Sequence, residues 1–187
     1  VQGRAILIVD AARCDSECMH RSQGEAVQFV LEAVKVETFN PSTLFLIGTN
    51  SIAKDRLFLD VARALGKKAY VGKAQMRILD GMELLPEERA ILTTDASQAQ
   101  IHIVPTSTVA FNRMTHILRH YRKRFNTIVA FRPCGDSMKN QCGREREQGE
   151  KTTKGSMVIY SLPYSKNSGF RELQSFIEWL RPKRLVG

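Results

Sequence analysis

Apolar residues follow two alternating periods along most of the chain. Short continuous runs, the mark of strands buried on both faces, fall at residues 5–9, 44–47, 69–71, 100–104, 127–131 and 157–162. Between several of them the apolar positions switch to helical spacing. Val27, Val30, Leu31 and Val34 make one stripe, introduced by Ser22-Gln-Gly-Glu25, which has the form of a capping box, and ended by Asn40-Pro41. Ile52, Leu57, Phe58, Val61, Ala62 and Leu65 make a second, stopped by Gly66. A helix is predicted over 110–121, and another over 169–180, with Phe170, Leu173, Phe176, Ile177 and Leu180 on one side and Pro182 at its end. Strand–helix–strand–helix–strand order predicts a parallel sheet with crossover helices, so the fold class is α/β with a Rossmann-like unit in the middle of the chain. Residues 133–155 break the pattern. Gly, Lys, Glu, Gln, Asn and Arg dominate there, and the stretch reads as a loop. Residues 184–186 read as the start of one more strand.

Composition supports a packed core: 187 residues, 43% apolar and 25% charged, with no internal repeat. The longest aliphatic runs are far short of the ~20 residues that cross a bilayer, and no basic segment precedes an apolar one, so no membrane span or secretory signal is expected. The chain opens on Val1, directly into a strand-like run, and reads as a piece of something longer. Twenty-eight Lys and Arg against nineteen Asp and Glu leave a formal charge of +9, which favours polyanionic partners. Five Arg or Lys and no acid lie between Asn112 and Arg124. Cys14, Cys18, Cys134 and Cys142 are too few and too scattered for a disulfide framework, which points to a reducing compartment.

Several residues carry candidate chemistry, each with a plainer alternative. Cys14, Cys18 and His20 are suitable zinc donors, but a fourth ligand has no source and two idle thiols serve as well. His116 and His120 are four apart on the predicted helix; the arginines around them would repel a dication, and a solvated or phosphate-facing helix is favoured. His102, within an apolar strand, reads as a core histidine with satisfied hydrogen bonds rather than a catalyst. Gly48-Thr-Asn-Ser-Ile-Ala-Lys54 runs from a strand into a helix, where backbone amides and a helix N-terminus hold phosphate. It is not a Walker loop, because Ala53 and Asp55 replace the required Gly and Ser/Thr. Ser51 and Lys54 remain candidate phosphate ligands, against an ordinary turn with a surface lysine. Asp10 ends the first strand, where a carboxylate can orient a histidine, bind a metal or cap a turn.

Several spaced motifs follow one family in order over essentially the whole chain. They are Ile8-Val-Asp-Ala-Ala-Arg-Cys14, Ser22-Gln-Gly-Glu-Ala-Val27, Leu46-Ile-Gly-Thr-Asn-Ser-Ile-Ala-Lys-Asp-Arg56, Ile101-His-Ile-Val-Pro105, Ala130-Phe-Arg-Pro-Cys-Gly135 and Tyr160-Ser-Leu-Pro-Tyr-Ser165. The chain resembles the DNA cross-link repair nucleases, relatives of Artemis and Apollo in the β-CASP branch of the metallo-β-lactamase fold, as a partial or degenerate member.

The resemblance implies a division of the chain. Residues 1–9 would be a strand of the metallo-β-lactamase αββα domain, 10–132 an inserted Rossmann-like β-CASP domain, 133–155 a loop and 156–187 the return into the first domain. It implies a metal-dependent 5′-to-3′ DNA exonuclease of interstrand cross-link and double-strand-break repair, in the nucleus. Partners would be 5′-phosphorylated, single-stranded or damaged DNA and other DNA repair proteins. The zinc ligands of a complete member would lie upstream of Val1, and no metal site is expected within this chain. Asp10 matches the family's first acidic motif, and Ser51 and Lys54 a segment associated with the DNA 5′-phosphate. In Pro163-Tyr-Ser-Lys-Asn-Ser-Gly169, Ser165 keeps the family residue, whereas Asn167 stands where the active-site histidine belongs. An imidazole can carry charge or shuttle a proton and an amide cannot, so catalysis by this chain is an open expectation. The alternative is a non-catalytic module that binds DNA ends or a protein.

Overall fold

In the computed structural model, residues 6–9, 23–37, 40–52, 57–134, 150–163 and 170–186 are described. Seven strands form one sheet: β2 (Thr43–Thr49), β3 (Ala69–Tyr70), β4 (Leu92–Thr93), β5 (Ile101–Pro105), β6 (Thr127–Cys134), β7 (Glu150–Lys154) and β8 (Met157–Pro163). Their order across the sheet is β4-β3-β5-β2-β6-β8-β7. Every neighbouring pair is parallel except β7 with β8. The central strand β2 is buried at all seven positions, as a parallel strand covered on both faces must be, which is why its sequence is a continuous apolar run rather than an alternation.

Alternate residues of the strands feed two cores. Phe45, Ile47, Ile101, Ile103, Val129, Phe131, Val158 and Tyr160 face α1 (Gln23–Glu37), α2 (Leu57–Leu65) and α3 (Lys73–Asp80). Leu44, Leu46, Ile128, Ala130 and Ile159 face the other way and pack under Met114 and Val109, at and before α5 (Phe111–His120). The period-two division of each strand thus sorts one apolar run into two separate clusters. α2 ends at Gly66, whose φ of 59° is the left-handed conformation glycine adopts freely at a helix stop.

Two expectations need correction. Residues 5–9 read as a buried strand, but β1 (Ile6–Ile8) lies outside the large sheet and pairs only with β9 (Arg184–Val186), in parallel. Ile6 and Ile8 are consequently exposed, because a two-strand pair offers no second layer. Residues 133–155 read as a loop, yet β6 continues through Pro133 and Cys134, and Glu150–Lys154 forms β7. Polar composition is what an antiparallel edge strand carries on a solvated side, so it does not argue against a strand there. Residues 72–91 hold two helices that the periodicity left unread, α3 and α4 (Pro86–Ala90). β8, first element of the expected return segment, is hydrogen-bonded to β6 from Met157 to Pro163 and shares the large sheet. The last helix, α6 (Phe170–Leu180), falls where it was expected. No helix among the described residues is long and apolar enough to cross a membrane.

Candidate functional site

Because β5, β2, β6 and β8 run parallel, their last residues, Pro105, Thr49, Cys134 and Pro163, come to the same edge of the sheet. In open α/β sheets this carboxyl edge is where ligands bind. Close approach of the backbones at this edge depends on Gly48. A Cβ there would lie 3.2 Å from the Phe131 carbonyl oxygen, the Thr106 Cα and the Val109 Cγ2. After β2 the chain turns through Asn50 and Ser51; the Ser51 amide donates to the Thr49 hydroxyl at 3.2 Å, which holds the half-buried Ser51 at the edge.

Two side chains at this edge have buried polar atoms without a hydrogen-bond partner among the described residues: the Thr106 hydroxyl and Nε of Arg132. Arg132 is half-buried, and its Nη2 donates to the Ser161 hydroxyl at 2.9 Å on β8. The Cys134 thiol donates to the Arg132 carbonyl at 3.4 Å and turns back onto its own strand. A buried N–H without an acceptor costs about 1–3 kcal/mol, and an anionic oxygen is the acceptor that best relieves it at a guanidinium. Among the described residues Arg132 makes no ion pair. The edge therefore offers a fixed cation, an unpaired N–H and hydroxyls at neighbouring strand ends, a set suited to holding a phosphate.

Of the residues singled out from sequence, Ser51 is placed at this edge. Asp10, Lys54, Ser165 and Asn167 lie outside the described residues, as do Cys14, Cys18 and His20. Thr106 and Arg132 were not singled out. The signal for Arg132 was present: a cation inside an otherwise apolar strand, within the quoted Ala130-Phe-Arg-Pro-Cys-Gly135. Thr106 gives no such signal, since its importance comes only from burial at a strand end.

The histidines separate cleanly. His102 is 3% exposed, near the start of β5 and so towards the opposite edge, with its ring 4.8 Å from that of Tyr70 and 5.2 Å from that of Tyr121. It is a core residue as expected, with backbone hydrogen bonds to Ala96 and Ala99 bearing on its ring, but its Nε2 has no partner among the described residues, so the ring is satisfied only in part. Burial, aided by the charge of Arg124, pushes its pKa down to about 4, so it is neutral at pH 7. His116 and His120 are exposed on α5. Among the described residues no three His, Cys, Asp or Glu side chains converge as a metal site would require. The metal that the fold family implies does not fit the residues described.

Comparison with known proteins agrees with this architecture. Residues 86–187, more than half of the chain, match the family model described as DNA repair metallo-beta-lactamase. The chain is 31% identical over 182 residues to human DNA cross-link repair 1A protein, covering 97% of this chain and 17% of that protein. It is 29% identical over 184 residues to DNA cross-link repair protein SNM1 of Arabidopsis thaliana, covering 97% and 37%. To 5′ exonuclease Apollo of Gallus gallus it is 26% identical over 193 residues, covering 100% and 35%. The chain thus spans well under half the length of these relatives. With a parallel-rich α/β sheet, the quoted motifs in order and a matching model over its second half, the chain belongs to the DNA repair metallo-beta-lactamase family.

Proposed function

We propose that this chain is part of a metal-dependent 5′-to-3′ DNA exonuclease of interstrand cross-link and double-strand-break repair, acting in the nucleus alongside other DNA repair proteins. Its carboxyl edge would hold a 5′-phosphorylated end. The single observation carrying this reading is the half-buried Arg132, whose buried Nε–H has no partner among the described residues at the edge where the parallel strands end. Ser51, Lys54 and Ser165 would add contacts to the terminal phosphate, whose extra charge distinguishes an end from an internal linkage. Asp10 would orient groups at the reacting phosphate. Zinc, the metal expected for a complete member, would be held by sequence outside this chain.

The same reading extends to domain organisation. Residues from 10 onward would form a lid inserted into the hydrolytic domain, with 1–9 and the end of the chain belonging to that domain. Its support is the parallel pairing of β1 with β9, which joins the two ends of the chain in a sheet separate from the large one. Because β8 lies in the large sheet, we place the return after Pro163.

Fluorescence anisotropy with a short 5′-phosphorylated single strand and its 5′-hydroxyl twin tests the end-binding role. The phosphorylated strand is expected to bind about tenfold tighter, the size of one charge-assisted hydrogen bond. Lys54→Ala and Arg132→Gln should each reduce that preference. Equal affinity for both strands would overturn the reading.

A second reading, a DNA-end-binding or protein-interaction module without cleavage, is favoured by Asn167, since an amide cannot take the proton-transfer role of a histidine. Fused to the upstream metal-binding domain of a relative, the chain should then leave a 5′-phosphorylated strand uncut with Asn167 in place. Cleavage by that fusion would eliminate the module reading.

A further inference from the structure

The basic surplus is not spread evenly. Resting on the proposed DNA-binding role, we infer that α5's outer face, with the turn that follows it and Lys67 and Lys68, is a second nucleic-acid contact that grips duplex phosphates away from the held end.

Three separate segments build this surface at the amino edge of the sheet, opposite the candidate site. Lys67 donates to the Gln100 side chain at 2.7 Å and Lys68 to the Gln98 side chain at 2.9 Å. Arg124 donates to the Ala96 carbonyl at 2.9 Å. Cations from two distant parts of the sequence therefore converge on the five residues 96–100, and Arg122 and Lys123 stand exposed beside Arg124. Asp95 is the acid at hand. Its carboxylate accepts from the Ser97 amide and hydroxyl and from Gln98, and its charge is felt by Arg124 without an ion pair forming.

From this cluster α5 leads back across the sheet. His116, Arg119 and His120 are exposed along it, and Arg113 near its start donates to the Ser107 carbonyl at 2.8 Å, beside the carboxyl edge. Ten helical residues span about 15 Å, so the cations form a rail from the candidate site to the far edge. None of Lys67, Lys68, Arg113, Arg119, Arg122, Lys123 and Arg124 is in an ion pair among the described residues. Cations free of close ion pairs on a solvated face are what counterion release from a phosphate backbone requires.

The chemistry favours duplex over single strand. Sequence-tolerant single-strand binders stack bases on exposed aromatic rings. Here Phe125 is 3% exposed and Tyr121 packs against His102 and Phe125, leaving this surface with no exposed Phe, Tyr or Trp among the described residues.

The test uses the 187-residue chain with Arg119→Glu, Arg122→Glu and Lys123→Glu combined, and a milder combination of Arg119→Gln, Arg122→Gln and Lys123→Gln in case charge reversal perturbs folding. Probes are a long duplex, a short 5′-phosphorylated single strand and phosphatidylserine vesicles. Expected is a loss of tenfold or more in duplex affinity, with the slope of log affinity against log salt shallower by about 2.7 for three lost phosphate contacts. Binding of the short strand, and its preference for a 5′-phosphate, should stay unchanged. Duplex binding with wild-type affinity and salt slope would overturn the inference. So would an equal loss on duplex and short strand, or a loss confined to the vesicles. If wild type shows no 5′-phosphate preference yet the variants still lose the duplex, the end-binding reading falls and this surface stands.

Discussion

The central strands of the large sheet and the β1·β9 pair both carry aliphatic side chains and meet opposite fates. In β2 and β6 the aliphatics are covered by helices on both faces, and Phe131 is fully buried with its ring stacked 5.5 Å from that of Tyr160. In the terminal pair Ile6 is 65% exposed, Ile8 78% and Leu185 50%. The preceding helix α6 leaves Trp179 63% exposed. Apolar composition alone does not make a core; a second layer on each face does. The contrast says which region holds the fold together.

The contrast breaks most visibly if the sheet tolerates truncation. Phe131→Ala should destabilise the chain by about 3–5 kcal/mol, read as a drop in urea midpoint at unchanged slope. A loss under about 1 kcal/mol would mean that the sheet is not the stabilising unit. Acid should act on the opposite face of the sheet through His102, which faces Tyr70 and Tyr121 with the Arg124 charge close by. Its pKa is lowered from 6.5 to about 4 on folding, so the unfolded chain takes up the proton first as pH falls. Stability is complete above pH 6.5, declines between 6.5 and about 4 by about 3 kcal/mol, and is flat below on this account. Denaturation of His102→Gln across that window should show the slope removed.

Gly48→Ala probes the join between sheet and site. Two of the three atoms a new Cβ would meet at 3.2 Å are backbone, so the neighbours give way reluctantly, and a cost of about 1–3 kcal/mol is expected with weakened phosphate binding. At the sheet's edge, Lys151 and Tyr160 both donate to Glu37, at 2.8 and 2.7 Å. Burial by itself would raise the Glu37 pKa, but these hydrogen bonds outweigh it and hold the carboxyl below its usual range. Their contribution is present above the ordinary carboxylate pKa and is lost as pH falls through the lowered value. Lys151→Ala should remove about 0.5–1 kcal/mol. Smallest of all, Leu185→Ala in the terminal pair should change stability by under about 0.5 kcal/mol, whereas a core-sized loss would erase the distinction.

The legibility of the chain follows the same division. The strands at 44–47, 127–131 and 157–162 were readable because burial on both faces writes itself as a continuous apolar run. β7 was not, because an edge strand of Glu, Lys and Thr draws its stability from pairing with β8 rather than from its own residues. The polar end of β6 was hidden for the same reason. At the candidate site Ser51 was legible from its place between a strand and a helix, but Arg132 and Thr106 were not, since an orphaned donor exists only once neighbouring strands have enclosed it.

By itself the sequence determined the α/β class, the central strands, the helices at 110–121 and 169–180, and, through spaced motifs, the family. These are local periodicity and residue identity, and they are present before any packing. Only the tertiary structure decided that the ends of the chain pair with each other outside the large sheet. It also set Arg132 beside Ser161 and drew Lys67, Lys68 and Arg124 around one short segment. Those are meetings of residues far apart in sequence, and strand order alone, a product of long-range pairing, brings them within reach.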